Sequence, residues 1–344
     1  MERKLASVQR VLEIVPIEGA DAIEAARING WICVVKKGAF AVGDAGVFLE
    51  IDAVPPDTSA YRFLWTAKGA EPAEGTRPGS FRIRTKKLRG CLSQGLLLTL
   101  AEAGVEGAVA DGDDLTGRLG VTKYEPVIPV GSAELRGGFP SAVPKTDEMR
   151  VQSVPEVLGE LRGKAYVATL KCDGTSATYV VDPYDGSFHA CGRNWSIVEG
   201  ANWYWSVARR YGIEEKLRAR GGRYALQGEI CGPGVQKNLL GLKELTLFVF
   251  SVRDLETNRY VSDAEMRALA AEMGLECVAI VEEGESFAHD QASLLALADG
   301  VYPGTKNPRE GIVIRPRVEV DSPTLGGRLS FKAISNRFLL AEQD

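Results

Sequence analysis

Ala165-Tyr-Val-Ala-Thr-Leu170, then Lys171-Cys-Asp-Gly174, then Ala177-Thr-Tyr-Val-Val-Asp182: this stretch decides how the 344-residue chain is read. Both flanks are apolar and rich in β-branched and aromatic residues, the composition of buried strands, and they read as partners around a turn. Asp-Gly is an ordinary turn signal, and a Lys-x-Asp-Gly run arises by chance in roughly one chain in ten to twenty of this length. Position sets this run apart. A lysine that closes a buried strand is expected to face a cleft.

Five further runs follow it in order. Cys191-Gly-Arg193-Asn194 puts an arginine on the next expected strand, where a guanidinium can fork onto a phosphate or a ribose hydroxyl. In Tyr224-Ala-Leu-Gln-Gly-Glu229-Ile-Cys-Gly232-Pro-Gly234 a carboxylate closes an apolar strand beside a tight turn, and Gln236-Lys237-Asn238 adds polar reach. Leu245 to Val252 is a continuous apolar strand whose Phe248 or Phe250 can stack on a purine, although such rings are ordinarily core. Glu310-Gly-Ile-Val-Ile-Arg315 opens a β-branched run with a carboxylate suited to hydrated Mg²⁺ or Mn²⁺. Ser330-Phe-Lys332-Ala-Ile places a lysine inside a strand, where an ammonium without an anion is costly and a phosphate would satisfy it. Singly, each run reads as a hairpin tip, a surface arginine, a solvated turn or core. The ordered set does not.

Together, Lys171, Arg193, Glu229, Phe250, Glu310 and Lys332 supply what a lysine needs to take a nucleoside monophosphate from a nucleoside triphosphate. They offer an amine nucleophile, cations for the phosphate oxygens, an aromatic face and a metal-holding carboxylate. The series resembles that of the covalent nucleotidyltransferases, the superfamily of polynucleotide ligases and mRNA capping enzymes. The longer matches, Gly-Glu-x-x-Gly-Pro-Gly-x-Gln-Lys-Asn at 228–238 and Phe-Lys-x-Ile-Ser-Asn-x-Phe-Leu at 331–339, are similar to RNA ligases of the Deinococcus radiodurans and Naegleria gruberi type.

The resemblance implies an ATP-dependent enzyme using Mg²⁺ or Mn²⁺, with a nick in RNA or an RNA-containing duplex as substrate. It implies that Lys171 becomes adenylylated while Asp173 and Gly174 shape its loop. Arg193 would meet the ribose or the 5′-phosphate, Glu229 the ribose and Phe250 the adenine face. Glu310 would hold the metal's water shell, Lys332 the α-phosphate, and Arg150 a phosphate. Two departures from the pattern stand out: Ser330 occupies the first place of a Lys-x-Lys pair, and Leu170 stands where relatives carry an acidic residue.

Upstream, short strands at Ala6 to Glu13, Ile23 to Arg27, Trp31 to Lys36, Gly46 to Glu50 and Gly95 to Leu100 alternate with turn signals, the pattern of an OB-like β-barrel. Phe81-Arg-Ile-Arg-Thr-Lys-Lys-Leu-Arg89 gathers Arg82, Arg84, Lys86, Lys87 and Arg89, enough to follow a phosphate backbone or, equally, to guard an edge strand. Breakers crowd residues 125–150, which read as a linker. The expected architecture is therefore α+β: an OB domain at 1–124, the linker, and at 151–344 a nucleotidyltransferase domain of antiparallel sheets and helices, ATP-grasp-like in the manner of ligases. Helices are expected at Ser153 to Leu161, Asn202 to Arg220 and, from the capping box Ser262-Asp-Ala-Glu265, to about Met273.

Net charge of −5 and a pI near 5.4 exclude a protein that coats nucleic acid nonspecifically and leave local patches to do any binding. Six cysteines without a Cys-x-x-Cys pair and only two histidines, His189 and His289, argue against a structural zinc site and a histidine-based triad. No signal-peptide or membrane-length apolar run is evident, so a cytoplasmic monomer without membrane contact is expected. Two alternatives remain open at this point. One is a DNA ligase or GTP-using capping enzyme, which usually place an OB domain after the final motif, where here only Asn336 to Asp344 follow. The other is a non-catalytic OB-type RNA-binding module.

Overall fold

The computed structural model describes residues 3–67, 70–71, 73–125 and 134–341, so Pro126, Pro129 and Gly131 of the expected linker lie outside the described residues. The chain forms two compact units, Met1–Val127 with Leu339–Asp344, and Ile128–Phe338. Among the described residues no helix is long and apolar enough to cross a membrane.

The first unit is a curled antiparallel sheet in the order Trp31–Lys36, Ile23–Ile28, Ala6–Pro16, Ala45–Leu49, Leu96–Thr99. Curling comes from the long Ala6–Pro16 strand. Its first half pairs with Ala45–Leu49, its second half with Ile23–Ile28, and a bulge between Val11 and Glu13 marks the change. Beyond the sheet edge, the Gln94 N–H donates to the Ile32 carbonyl at 2.7 Å. Val8, Val47, Leu49, Leu98, Leu115 and neighbours fill the interior.

Two large sheets build the second unit, beside a two-stranded one of Asp321–Ser322 and Gly327–Arg328. One runs Leu135–Gly138, Trp195–Ile197, Phe188–Cys191, Thr175–Val181, Tyr224–Cys231, Thr246–Asp254, Arg259–Tyr260, with Glu276–Cys277 also on Thr246–Asp254. The other runs Met149–Arg150, Phe331–Ile334, Gly311–Pro316, Tyr166–Lys171, Ile280–Gly284. Pairing is antiparallel except where Met149–Arg150 meets Phe331–Ile334 and where Glu276–Cys277 meets Thr246–Asp254. In the five-stranded sheet, Ala168, Ile312, Ile314, Phe331 and Ala333 enter one core with Phe287 and Leu294. Strand alternation puts Lys171, Val313, Arg315 and Lys332 on the opposite face.

Four expectations need correction. The helix expected at Ser153 to Leu161 begins only at Val157. The Lys171–Gly174 run is not a hairpin tip, because Tyr166–Lys171 and Thr175–Val181 belong to different sheets. Both strands are buried enough to find long-range partners, and the run crosses between the sheets. The expected helix at Asn202 to Arg220 divides into Trp203–Tyr211 and Ile213–Arg218 at Gly212, whose φ of 57° ends the first helix. Within the stretch read as linker, Leu135–Gly138 and Met149–Arg150 are strands of the two sheets.

Candidate active site

Lys171 closes its strand directly opposite Gly311, so residue 310 lies one step away on the neighbouring strand's entry. Lys171 Nζ is 2.8 Å from Glu310 Oε1, and both side chains are about four-fifths buried (22% and 18% exposed). Burial disfavours the ammonium, but the charges of Glu310 and Glu229 outweigh it and hold the Lys171 pKa above the ordinary lysine range. Glu229 experiences the reverse balance. Burial pushes its carboxyl up to about 8, Lys171 draws it back, and Glu310 and Asp173 add to the rise. Gly174 lets these groups meet, since a Cβ there would lie 2.4 Å from the Ile230 carbonyl oxygen and 2.8 Å from Glu229 Cγ.

One hydroxyl fastens the two segments. Tyr302 Oη accepts the Asp173 N–H at 2.9 Å and the Glu310 N–H at 3.2 Å, and donates to the Lys171 carbonyl at 3.1 Å. Phe248 and Phe250, side by side on the inner surface of the other sheet, pack against Leu170, Cys172, Cys231, Val278 and Tyr302.

Cations gather on the same face of the five-stranded sheet. Lys332 pairs with Arg150 across the parallel ladder. Its Nζ is 3.4 Å from one oxygen of Asp147, whose other oxygen is 2.7 Å from Arg193 Nη2. One residue on, Glu148 accepts from Arg315 at 2.9 Å and from Ser330 Oγ at 3.2 Å, while Arg315 also donates to Ser330 Oγ at 3.0 Å and to the Phe250 carbonyl at 2.5 Å. Burial alone would raise the Glu148 pKa, but Arg315 and Lys332 bring it down to about 2.

A profile of OB-fold domains matches residues 5–100, and the RNA ligase family profile matches residues 164–334. No curated protein sequence matches the chain. Among solved structures, Naegleria gruberi RNA ligase with PPi is 37% identical, with a TM-score of 0.86 over 98% of each chain. This chain belongs to the RNA ligase family. A mutant of the same Naegleria enzyme solved with ATP and Mn gives 37% identity and a TM-score of 0.87 over 99% of this chain and 100% of that one. Another, with AMP and Mn, gives 37% and 0.86 over 99% of both.

In this RNA-ligase-family chain all eight residues expected around the nucleotide, together with Glu310, fall in the second unit, but Arg193, expected on a strand, lies in the turn between Phe188–Cys191 and Trp195–Ile197. The basic run of the first unit is less uniform. Only Lys86–Leu88 is a strand, paired with Cys91–Ser93 through a turn at Arg89 and Gly90, and Lys86, Lys87 and Arg89 are exposed on that hairpin. Arg84 is half-buried. Arg82 differs from expectation: its Nε lies 3.2 Å from Asp52 and its guanidinium sits 4.5 Å over the Tyr124 ring, so its charge is already engaged. Sequence reasoning missed Asp147, Glu148 and Tyr302. The first two stand in Lys145-Thr-Asp-Glu-Met-Arg150, where two acids beside the functional Arg150 candidate were the available signal. Tyr302 has none.

Proposed function

We propose that this chain is an ATP-dependent RNA ligase that joins a 3′-hydroxyl to a 5′-phosphate, at nicks in RNA-containing duplexes, through a lysyl-AMP intermediate on Lys171. The observation that carries the reading is the Lys171–Glu310 pair at 2.8 Å, set on the same sheet face as Lys332. The complexes of the Naegleria relative with ATP and Mn, AMP and Mn, and PPi support the choice of nucleotide and metal.

Lys171 Nζ attacks the α-phosphorus of ATP. The N–P bond forms as the bond from phosphorus to the pyrophosphate oxygen breaks, its electron pair leaves with pyrophosphate, and nitrogen gives up two protons on the way from ammonium to phosphoramidate. A 5′-phosphate oxygen then attacks the same phosphorus and frees the lysine. Finally the 3′-hydroxyl attacks the 5′-phosphate, loses its proton and releases AMP. The chain supplies alignment and charge: Phe250 takes the adenine face, Glu229 the ribose, and Lys332, Arg150 and Arg193 the phosphates, with Asp147 giving up its hold on Lys332 and Arg193 as phosphate arrives.

Burial pushes Glu229 up to about 8 and the charges of Glu310 and Asp173 add to the rise, and carboxylates beside Lys171 are hard oxygen donors of the kind that suit Mg²⁺ or Mn²⁺. Glu310 would hold the water shell of such a cation, whose positive charge would lower the Lys171 pKa and draw charge from the phosphate oxygens. Six free cysteines suit a reducing, cytoplasmic compartment, and because one chain carries the whole series a monomer suffices.

Incubation with α-labelled ATP or GTP, and sealing of RNA-containing against all-DNA nicks, test the reading. The expected outcome is AMP transferred to the wild type in Mg²⁺ or Mn²⁺, hardly any label from GTP, and none on Lys171→Ala. Label surviving Lys171→Ala refutes the intermediate, equal labelling by GTP indicates a capping-type enzyme, and preferential sealing of all-DNA nicks indicates a DNA ligase.

A further inference from the structure

We infer that Tyr302 is a positioning residue for self-adenylylation, its hydroxyl setting where Lys171 stands relative to Glu310; the inference rests on Lys171 being the nucleophile proposed above. A phenol hydroxyl has one proton to give and two lone pairs to accept with. In Tyr302 all three are spent on backbone groups of two separate segments. It gives its proton to the carbonyl of Lys171 itself, and takes the N–H of Asp173 and the N–H of Glu310. The first and second groups bracket the run that crosses between the sheets, and the third opens the Gly311–Pro316 strand. The 2.8 Å Lys171–Glu310 separation is therefore pinned through the main chain of both partners.

The pin has its own foundation. Tyr302 is fully buried in the cluster of Leu170, Cys172, Cys231 and Val278. Its N–H donates to the Asn307 carbonyl at 3.0 Å, and its carbonyl accepts from the Thr305 N–H at 3.1 Å and the Thr305 hydroxyl at 3.0 Å. Asn307 Nδ2 in turn donates to the Leu239 carbonyl at 2.8 Å, and its N–H to Thr305 Oγ at 3.1 Å. Proton transfer is not the phenol's task. Burial, with the Glu310 charge added, raises its pKa above the tyrosine range, so it stays a neutral donor and acceptor. What it offers is geometry. Attack on phosphorus needs the amine in line with the leaving pyrophosphate, and a misplacement of roughly 1 Å in such a step costs about 100-fold in rate.

Tyr302→Phe keeps the ring and removes only the oxygen. We expect the variant to fold, to keep the ATP KM for self-adenylylation within about threefold and to lose about 100-fold in the rate at saturating ATP, a split that a general weakening of the fold does not produce. Thr305→Ala, which loosens the turn beneath the ring without touching the hydroxyl, should show the same split at about tenfold, and it stands in should Tyr302→Phe fail to fold. A folded Tyr302→Phe labelled as fast as the wild type overturns the inference. So does a folded Thr305→Ala with unchanged rate where Tyr302→Phe cannot be made. A wild type that takes no label on Lys171 overturns the proposed function itself, an outcome distinguishable from both.

Discussion

An ammonium 2.8 Å from a carboxylate has no lone pair with which to attack phosphorus, so Lys171, the proposed nucleophile, is held in reserve between Glu310 and Glu229. Its charge must be removed at the moment of use, which explains why a lysine stands here. Lys171→Arg should be as inert as Lys171→Ala in self-adenylylation, because a guanidinium does not deprotonate at working pH. Glu310→Ala frees Lys171 from its counter-ion yet removes the carboxylate assigned to the metal. We expect the second effect to win and nucleotidyl transfer to fall by at least about 100-fold while the fold survives, as checked by labelling and thermal unfolding on one preparation. A fully active Glu310→Ala would refute its role. Glu148 makes a different prediction, about stability. Its native pKa of about 2 lies below the 4.5 of the unfolded chain, so the unfolded state binds the extra proton between these values. The contribution is therefore present above about pH 4.5 and lost as pH falls towards 2, and it amounts to about 3 kcal/mol. Glu148→Gln should be much less stable than the wild type at pH 7 and converge with it as pH falls through about 2; a gap that stays constant across denaturant titrations at those pH values would show that Glu148 is not held low.

At the scale of elements, the site is a matter of where strands end and how closely they approach. Gly311 lies opposite Lys171 with φ of 155°, and a Cβ there would fall 2.2 Å from the Ala333 carbonyl oxygen. Gly311→Ala must open the pairing with Phe331–Ile334, displacing Glu310 and Lys332 together. Expected are a loss of about 1–3 kcal/mol in unfolding free energy and a loss of adenylylation, whereas Lys332→Ala should lose only the second. Equal stability of wild type and Gly311→Ala would contradict this tight approach. The strands themselves were legible, because alternation such as Trp31–Lys36 and the apolar runs around Lys171 require no distant information. So was the capped start at Ser262, where the Asp263–Glu272 helix carries the expected capping box. Periodicity does not say which sheet a buried strand joins, and that is why sequence alone pairs Ala177 to Asp182 with the Lys171 strand, whereas in the structure Thr175–Val181 lies between Phe188–Cys191 and Tyr224–Cys231. Asp147 and Glu148 were hidden by neighbours rich in proline and glycine. What orders that stretch is long-range: the Gln227 side chain donating to the Pro144 carbonyl at 2.8 Å, and Arg315 reaching Glu148.

For the molecule as a whole, the proposed function implies that the two units divide the labour of sealing. Every residue proposed to handle ATP lies between Asp147 and Lys332, while the first unit offers, among the described residues, no comparable cluster of buried ion pairs around a lysine. With a net charge of −5 the chain as a whole repels a polynucleotide, so attraction has to come from local cations. The Lys86-Lys87-Leu88-Arg89 hairpin is such a place, since its three cations are exposed, whereas Arg82 is already engaged by Asp52 and Tyr124. Replacing Lys86, Lys87 and Arg89 with glutamine should leave self-adenylylation near its original rate, because every residue proposed to meet ATP and its metal lies in the second unit. Binding to a nicked duplex should weaken, and the slope of log affinity against log salt should become shallower by up to about 3, one counterion-release increment for each phosphate that is no longer neutralised. Arg82→Gln, by contrast, should leave that slope alone and cost stability, because it takes a cation away from Asp52. Unchanged binding and slope in the triple variant would move the polynucleotide surface elsewhere on the molecule. A folded triple variant unable to adenylylate itself would instead tie the hairpin to the first chemical step.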